Sequence, residues 1–178
     1  MTFQQKRQNA GFTLVEILIV MVIIGILASL SIGSFQSSQQ KARDTRRKGD
    51  INAITTALEV YRNDTGAYPL NSSANKIMGC GAATECDWGE IFQDSNDTIY
   101  MAQLPTDPRS SQQYVYLSDG SYFQLYARFE NTEDRAVPKS GEDPMVYGTL
   151  DCGAALCNYG ISSTNTTPET NNALVTEE

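Results

Sequence analysis

The feature that most constrains this sequence is an apolar run near its start, which extends from Phe12 to Ile32 and contains one charged residue, Glu16. A stretch of about 20 apolar residues matches the thickness of a bilayer core. We therefore predict a transmembrane and assembly segment at residues 12–33. An ionised carboxylate in hydrocarbon is costly unless it is paired, and such residues usually serve a function. Glu16 therefore requires a partner of opposite charge.

The segment before this run does not look like an ordinary secretory signal. It is polar and carries two cations, Lys6 and Arg7, and the apolar run is longer than a signal core and has no clear small-residue exit. Residues 11–16 read Gly-Phe-Thr-Leu-Val-Glu. With the basic leader before it and the apolar run after it, this motif resembles the processing site of type IV pilins and the related pseudopilins.

The resemblance assigns a role to each residue of the motif. It implies that residues 1–11 are a leader peptide, removed by a prepilin peptidase that cuts between Gly11 and Phe12 and methylates the new amine of Phe12. It also implies that Glu16 neutralises the Phe12 amine of a neighbouring subunit and so sets the register of a filament. The alternative is an uncleaved single-pass anchor.

A single helix is predicted to continue beyond the apolar run, from residue 12 to about residue 63, because no proline precedes Pro69. Its second half, residues 34–66, is amphipathic, with an apolar stripe that we expect to pack on the head domain: Ile51, Ile54, Leu58 and Tyr61. An Asn-Asp-Thr-Gly stop follows at residues 63–66. Gly25 and Gly33 are weak points at which we expect the helix to stretch when a filament forms.

After residue 70 the spacing of apolar residues changes from that of a helix to the alternation of β-strands. Residues 67–161 are predicted to form a globular head. Gln113–Leu117 and Tyr122–Phe129 flank a Ser-Asp-Gly-Ser turn and predict a hairpin whose alternation suits a sheet covered on one side. Further strands are expected at 145–149 and 158–161. The predicted fold class is α+β, a long N-terminal α-helix packed on a small antiparallel β-sheet. Residues 162–178 have few apolar side chains and are predicted to be a disordered tail.

Three stretches of the head resemble the major pseudopilin of type II secretion systems. They are the helix end with its Tyr-Pro at 68–69, the Leu-Pro-Thr-Asp-Pro turn at 104–108 and the strand at 122–126. Such pseudopilins often hold calcium in the acidic loop after that strand. The corresponding loop here offers oxygen ligands from Glu130, Asn131, Glu133 and Asp134 but lacks the glycine-rich pattern of the family, so we predict a solvated acidic loop without a cofactor. The alternative, which the resemblance implies, is a calcium site formed by these four residues.

Four cysteines lie in two inserted segments of the head, Cys80 and Cys86 in one and Cys152 and Cys157 in the other. Their spacing does not match the usual zinc knuckles, and an exported domain with an even count favours two disulfides over free or metal-bound thiols. The simplest of three connectivities joins each local pair.

The charge is unevenly distributed. From Gly49 onward there are 6 basic and 19 acidic side chains, so we expect no nucleic-acid partner for the head. A basic run at residues 41–48 allows three interpretations. It could be a solvated face that pairs with the acidic heads of other subunits, a surface for anionic lipid headgroups before assembly, or a DNA-capturing face.

No constellation of catalytic residues is recognisable, and the chain contains no histidine, so we predict that it is not an enzyme. The resemblance implies a membrane protein with its head outside the cytoplasm, assembled with identical and related pilins by a pilus or secretion platform. The cysteine-bearing insertions and the tail favour a type IV pilus subunit. A type II secretion pseudopilin is the alternative, and a competence pilin for DNA uptake is a more distant one.

Overall fold

A computed structural model describes residues 11–80 and 84–177 of the chain, and for residues 30–34 it describes only the backbone. The chain divides into two compact units, Met1–Gln39 and Gln40–Glu178. Helix α1 (Leu14–Thr65) belongs to both units, and ten strands follow it among the described residues of the second unit. The strands are β1 (Met78–Cys80), β2 (Thr84–Glu85), β3 (Phe92–Gln93), β4 (Ile99–Met101), β5 (Val115–Ser118), β6 (Phe123–Ala127), β7 (Lys139–Ser140), β8 (Asp143–Tyr147), β9 (Tyr159–Ser162) and β10 (Leu174–Thr176).

Helix α1 ends where its sequence predicts. Gly66 follows its last residue with a φ of +86°, a conformation that costs glycine little, and the Gly66 N–H closes a bond to the Arg62 carbonyl. The helix is unbroken at Gly25 and Gly33 in this single chain. The stretching of this segment on assembly therefore stays a prediction.

In the first unit the apolar side chains of the helix lie on the surface. The large apolar residues between Phe12 and Leu27 are 44% to 90% exposed. In the part of the chain with described side chains, no helix combines the length and the apolar content needed to cross a membrane. The span predicted at residues 12–33 stays a prediction.

The second unit is built on the central sheet β5–β6–β9, which is antiparallel throughout. The predicted hairpin is present, with Ser118 opposite Phe123 across the turn. One face of the sheet packs on the helix and forms the main core, which contains the predicted stripe residues Ile51, Ile54 and Leu58, all fully buried. The predicted α+β fold, with a long helix packed on small antiparallel sheets, is therefore confirmed.

The prediction that this sheet is covered on one side is wrong. Every residue of β6 is buried, including Gln124 and Tyr126 on the face away from the helix. A second, smaller core covers that face, and its buried members come from the hairpin and from the chain after it: Val115, Tyr126, Tyr147, Leu150, Cys152 and Cys157. The second insertion is therefore a packed layer of the head.

The prediction of a disordered tail at residues 162–178 is also wrong for the residues described, which extend to 177. Strand β10 pairs with β8, and Asn172 is buried against the central sheet, where its Nδ2 donates to the Tyr126 hydroxyl at 2.9 Å. The carbonyls of Thr167 and Thr170 accept from Gln124 Nε2 at 2.7 and 2.9 Å. The tail is held by polar contacts, which an apolar count cannot detect.

Both predicted disulfides are present as local pairs, Cys80–Cys86 and Cys152–Cys157. The first closes the β1–β2 hairpin, and the second lies in the smaller core, with both cysteines fully buried. The two disulfides therefore differ in burial. Both cysteines of Cys152–Cys157 are fully buried, whereas Cys80 of the first disulfide is only partly buried.

Candidate functional site

The start of helix α1 carries the predicted processing and assembly residues. Thr13 precedes the first helical residue and Glu16 lies in the first turn. The Glu16 Oε2 atom accepts from the Thr13 backbone N–H at 2.7 Å and from the Thr13 hydroxyl at 2.8 Å, and the Thr13 Oγ1 atom accepts from the Glu16 N–H at 3.3 Å. This reciprocal arrangement is a capping box, which satisfies backbone donors that a helix start leaves unpaired.

The capping box places a carboxylate at the positive end of the helix dipole, close in sequence to Phe12, which is 84% exposed. Such a carboxylate can accept a further hydrogen bond from an ammonium group. The sequence signal for this box is a threonine followed three residues later by a glutamate before an apolar run. The role predicted for Glu16 rested on its charge alone and did not include a helix cap.

A single chain does not test cleavage between Gly11 and Phe12, methylation, or pairing of Glu16 between subunits. Lys6 and Arg7 of the leader lie outside the described residues. These roles therefore remain predictions.

The second candidate site lies where the helix meets the head, around Arg47. This side chain is completely buried, and all five of its N–H groups donate hydrogen bonds. Nε and Nη2 bind the two Asp107 oxygens at 2.7 Å each, Nη1 binds Asp44 at 2.7 Å and Glu130 at 3.0 Å, and Nη2 also binds Gln112 at 2.7 Å.

Other cations of the helix extend this cluster toward the loop after β6. Arg43 binds both Glu130 oxygens at 2.6 Å, and Lys48 Nζ binds both Asp134 oxygens at 2.7 and 2.8 Å. Hydrogen bonds from Arg43, reinforced by Arg47, lower the pKa of Glu130 to about 2. Burial alone would raise the pKa of Asp134, but the bonds from Lys48 and from the Ala136 N–H hold it below its ordinary value.

These contacts correct our interpretation of the basic run at residues 41–48. Arg43, Arg47 and Lys48 pair with carboxylates of their own head, and of these three cations only Arg47 is fully buried, whereas Arg43 and Lys48 stay 31% and 36% exposed. Arg46 stays 60% exposed beside Asp50 at 3.7 Å. The head carboxylates that pair with Arg43, Arg47 and Lys48 lie 60 to 87 residues later in the chain, so local sequence patterns could not predict these pairs. The cation surface that lipid headgroups or DNA would require is thereby reduced.

The residues proposed as calcium ligands do not fit that role. Glu130 and Asp134 point to arginine and lysine side chains, Glu133 pairs with Lys139 at 2.8 Å, and the Asn131 N–H donates to Asp44. Among the residues that the structure describes, no group of three or more acidic, cysteine or histidine side chains is arranged to hold a metal ion. The structure therefore does not bring the predicted ligand set together.

Comparison with known protein families finds matches for both the N-terminal motif and the segment that contains most of the head. Residues 6–32 match the prokaryotic N-terminal methylation motif, and residues 34–146 match the model of type II secretion system protein G. The second match covers more than half of the chain. The chain belongs to the type II secretion system protein G family.

Curated members of the protein G family are similar over most of their length. The type II secretion system core protein G of Pseudomonas aeruginosa is 38% identical over 128 residues, which cover 69% of this chain and 84% of the relative. That of Aeromonas hydrophila is 34% identical over 121 residues, or 68% and 81% of the two chains. That of Escherichia coli is 33% identical over 116 residues, or 65% and 76%. No solved structure matches.

Membership of the protein G family favours a type II secretion pseudopilin, which was our alternative prediction, over a type IV pilus subunit. The matched domain ends at residue 146, within β8. The described chain beyond it, with Cys152–Cys157 and the folded tail, supplies most of the second layer of the head. Most of that layer therefore lies outside the residues that match the protein G model.

Proposed function

We propose that this chain is a pseudopilin of a type II secretion system, a structural subunit without enzymatic activity. The observation that carries the proposal is the match of residues 34–146 to protein G directly after a methylation motif at residues 6–32. Its partners would be identical and related pseudopilins, a prepilin peptidase and the secretion assembly platform. Its head would lie outside the inner membrane, in a periplasmic pseudopilus.

Maturation is the first step of the proposed function. A peptidase would cut between Gly11 and Phe12, and the Phe12 amine would be methylated. Mass spectrometry of the protein from its own host should find a chain that begins with N-methylated Phe12. A Gly11→Val variant should keep its leader, whereas a Gln8→Ala control should be cut normally. An unprocessed wild-type chain would contradict the proposal.

Assembly is the second step. The apolar side chains between Phe12 and Leu27 are exposed in the single chain, so they require lipid before assembly and neighbouring helices after it. The new Phe12 amine and the Glu16 carboxylate would then neutralise each other between subunits. When intact host cells are treated with a chemical cross-linker, Glu16→Leu should abolish the subunit–subunit cross-links that the wild-type chain forms. The matched control Glu142→Gln, on the exposed surface of the head, should leave these cross-links unchanged.

One observation favours a second candidate, a subunit of a surface pilus. Most of the second layer lies outside the protein G match and would decorate the outside of a fibre. Deletion of the gene in its host separates the two functions. Loss of secreted enzymes with unchanged surface fibres supports the pseudopilin, whereas loss of long surface fibres with normal secretion supports the pilus.

A further inference from the structure

Six cations around the buried Arg47 keep all or part of their side chains at the surface of the second unit. Arg109 donates to the same Glu130 carboxylate as Arg43, and Lys41 lies two turns before Lys48 on the same face of the helix. The last of the six follows Asp134, the partner of Lys48. We call this group the basic patch, and its members are Lys41, Arg43, Arg46, Lys48, Arg109 and Arg135.

In the basic patch the cations are exposed and the carboxylates are buried. The side chains of Arg43, Arg46 and Arg109 are 31%, 60% and 52% exposed, and that of Lys48 is 36% exposed. The carboxylates that these cations and Arg47 contact are only 0% to 21% exposed: Asp44, Asp50, Asp107, Glu130 and Asp134. A charged surface that approaches the patch therefore meets guanidinium and ammonium groups first.

The charge of the patch is opposite in sign to that of the rest of the unit. With Arg47, the patch has seven cations, and these contact five carboxylates. The remaining residues of the segment 40–178 contain four cations and 15 acidic side chains. An anionic partner is therefore repelled by most of the head and attracted at the patch.

The position of the patch in the chain favours a membrane surface as that partner. The patch begins at Lys41, nine residues after Ile32, where the apolar run ends. Nine helical residues rise about 13 Å, and the headgroup layer on one side of a bilayer is about 5–8 Å thick. Long lysine and arginine side chains, and a Debye length of about 8 Å, extend across the remaining distance.

We propose that the basic patch binds the anionic phosphate headgroups of the lipids around the predicted membrane span before the subunit enters a filament. The inference rests on the proposed function, because it requires a subunit that is anchored in the membrane before assembly. Guanidinium groups bind phosphate oxygens in pairs, and lysine adds a point charge. These contacts are weakened by salt and are reversible, so the acidic head can leave the membrane surface when the subunit assembles.

Energy transfer from Trp88, the only tryptophan of the chain, to a dansyl-labelled lipid headgroup measures how closely the head approaches the membrane. Trp88 lines one cavity with Asp107, the partner of Arg47, so it lies near the patch. The full chain is placed, as a single copy, in lipid nanodiscs of phosphatidylcholine with or without about 30% phosphatidylglycerol. Transfer should be higher in the anionic discs, and about 1 M NaCl should lower it to the neutral value. Equal transfer in the two kinds of disc would overturn the proposal.

Two double variants separate the patch from the total charge of the head. Lys41→Gln/Arg46→Gln removes two cations of the patch and none of the contacts of Arg47, whereas Arg62→Gln/Lys76→Gln removes the same charge elsewhere. Since each surface cation favours an anionic membrane about fivefold, the first variant should lower the ratio of bound to free heads roughly 20- to 30-fold. The second should keep the additional transfer. Full transfer in the first variant, or equal losses in both, would contradict the proposal.

Two other results would assign the patch to a different partner and overturn the proposal. One is binding of a labelled DNA duplex to the chain in neutral discs, with no response to lipid charge. The other is transfer that responds to the number of chains in a disc and not to lipid charge, which would indicate the acidic heads of neighbouring subunits. A chain that does not enter the discs would contradict the predicted span, and with it the proposed function as well. Insertion without a response to anionic lipid contradicts only the present proposal.

Discussion

Arg47 and Asp107 form a forked ion pair inside the head, in which Nε and Nη2 donate to the two carboxylate oxygens at 2.7 Å each and neither side chain has exposed surface. Asp107 lies in the Leu-Pro-Thr-Asp-Pro turn, and Arg47 lies on the helix 60 residues earlier. The pair therefore joins the helix to a turn of the head. Removal of Arg47 would take away the cation that pairs with the buried Asp107 carboxylate, whereas removal of Asp107 would leave Arg47 paired with Asp44 and Glu130.

We expect Arg47→Met to lower the free energy of unfolding by about 3–5 kcal/mol, the usual loss when one partner of a buried ion pair is removed. Urea denaturation of the full chain in detergent measures it. Arg46→Met is the matched control, because Arg46 is 60% exposed, and a loss of less than about 1 kcal/mol is expected. Equal losses in the two variants would contradict the prediction.

Stability should fall in acid because of Glu130. Its pKa is lowered from 4.5 to about 2 in the folded chain, so the folded state favours the charged form. The corresponding stabilisation, about 3 kcal/mol, is fully present above pH 4.5 and is lost as the pH falls from 4.5 toward 2. Urea denaturation at pH 6, 4 and 3 measures this slope.

Glu130→Gln is the variant for that pH experiment. It should be less stable than the wild-type chain at pH 6, because the amide cannot pair with Arg43 and Arg47 as a charge. Its stability should also depend less on pH between 4.5 and 2. An unchanged acid slope in this variant would show that other carboxylates dominate the loss.

The two disulfides should differ in their contribution. Each closes a short ring, for which the loss of chain entropy in the unfolded state contributes about 2 kcal/mol. Cys152 and Cys157 are both fully buried in the smaller core, so replacing them with alanine also removes packing, whereas Cys80 is only partly buried. We expect Cys152→Ala/Cys157→Ala to lose more stability in urea than Cys80→Ala/Cys86→Ala. The reverse order would contradict the packing argument.

Asn172 should be more important than its place in a polar tail suggests. Its Nδ2 donates to the Tyr126 hydroxyl at 2.9 Å and to the Gln124 amide oxygen at 3.2 Å, inside the head. Asn172→Ala would leave both buried acceptors short of a donor, at about 1–3 kcal/mol. The exposed Asn63→Ala is the control, with little expected change. Amide hydrogen exchange of β6 gives a second measurement, and it should accelerate in Asn172→Ala but not in Asn63→Ala.

Local sequence patterns predicted most of the secondary structure correctly. The stripe Ile51, Ile54 and Leu58 is buried as a helix face, the stop at residues 63–66 ends the helix, and the hairpin around residues 118–121 is formed. These features depend on neighbours within a few residues, so periodicity and turn chemistry are sufficient. The two disulfides are also local features, because their cysteines are 6 and 5 residues apart in sequence.

The sequence by itself determined the processing motif, the long helix and the antiparallel hairpin, because each is encoded by contiguous residues. Only the tertiary structure decided that Arg47 is buried among carboxylates from three separate segments and that a polar tail closes the second face of β6. A charged or polar side chain is expected at the surface unless a distant partner compensates for its lost hydration. Such partners are 46 to 83 residues away here, and only the folded chain brings them together.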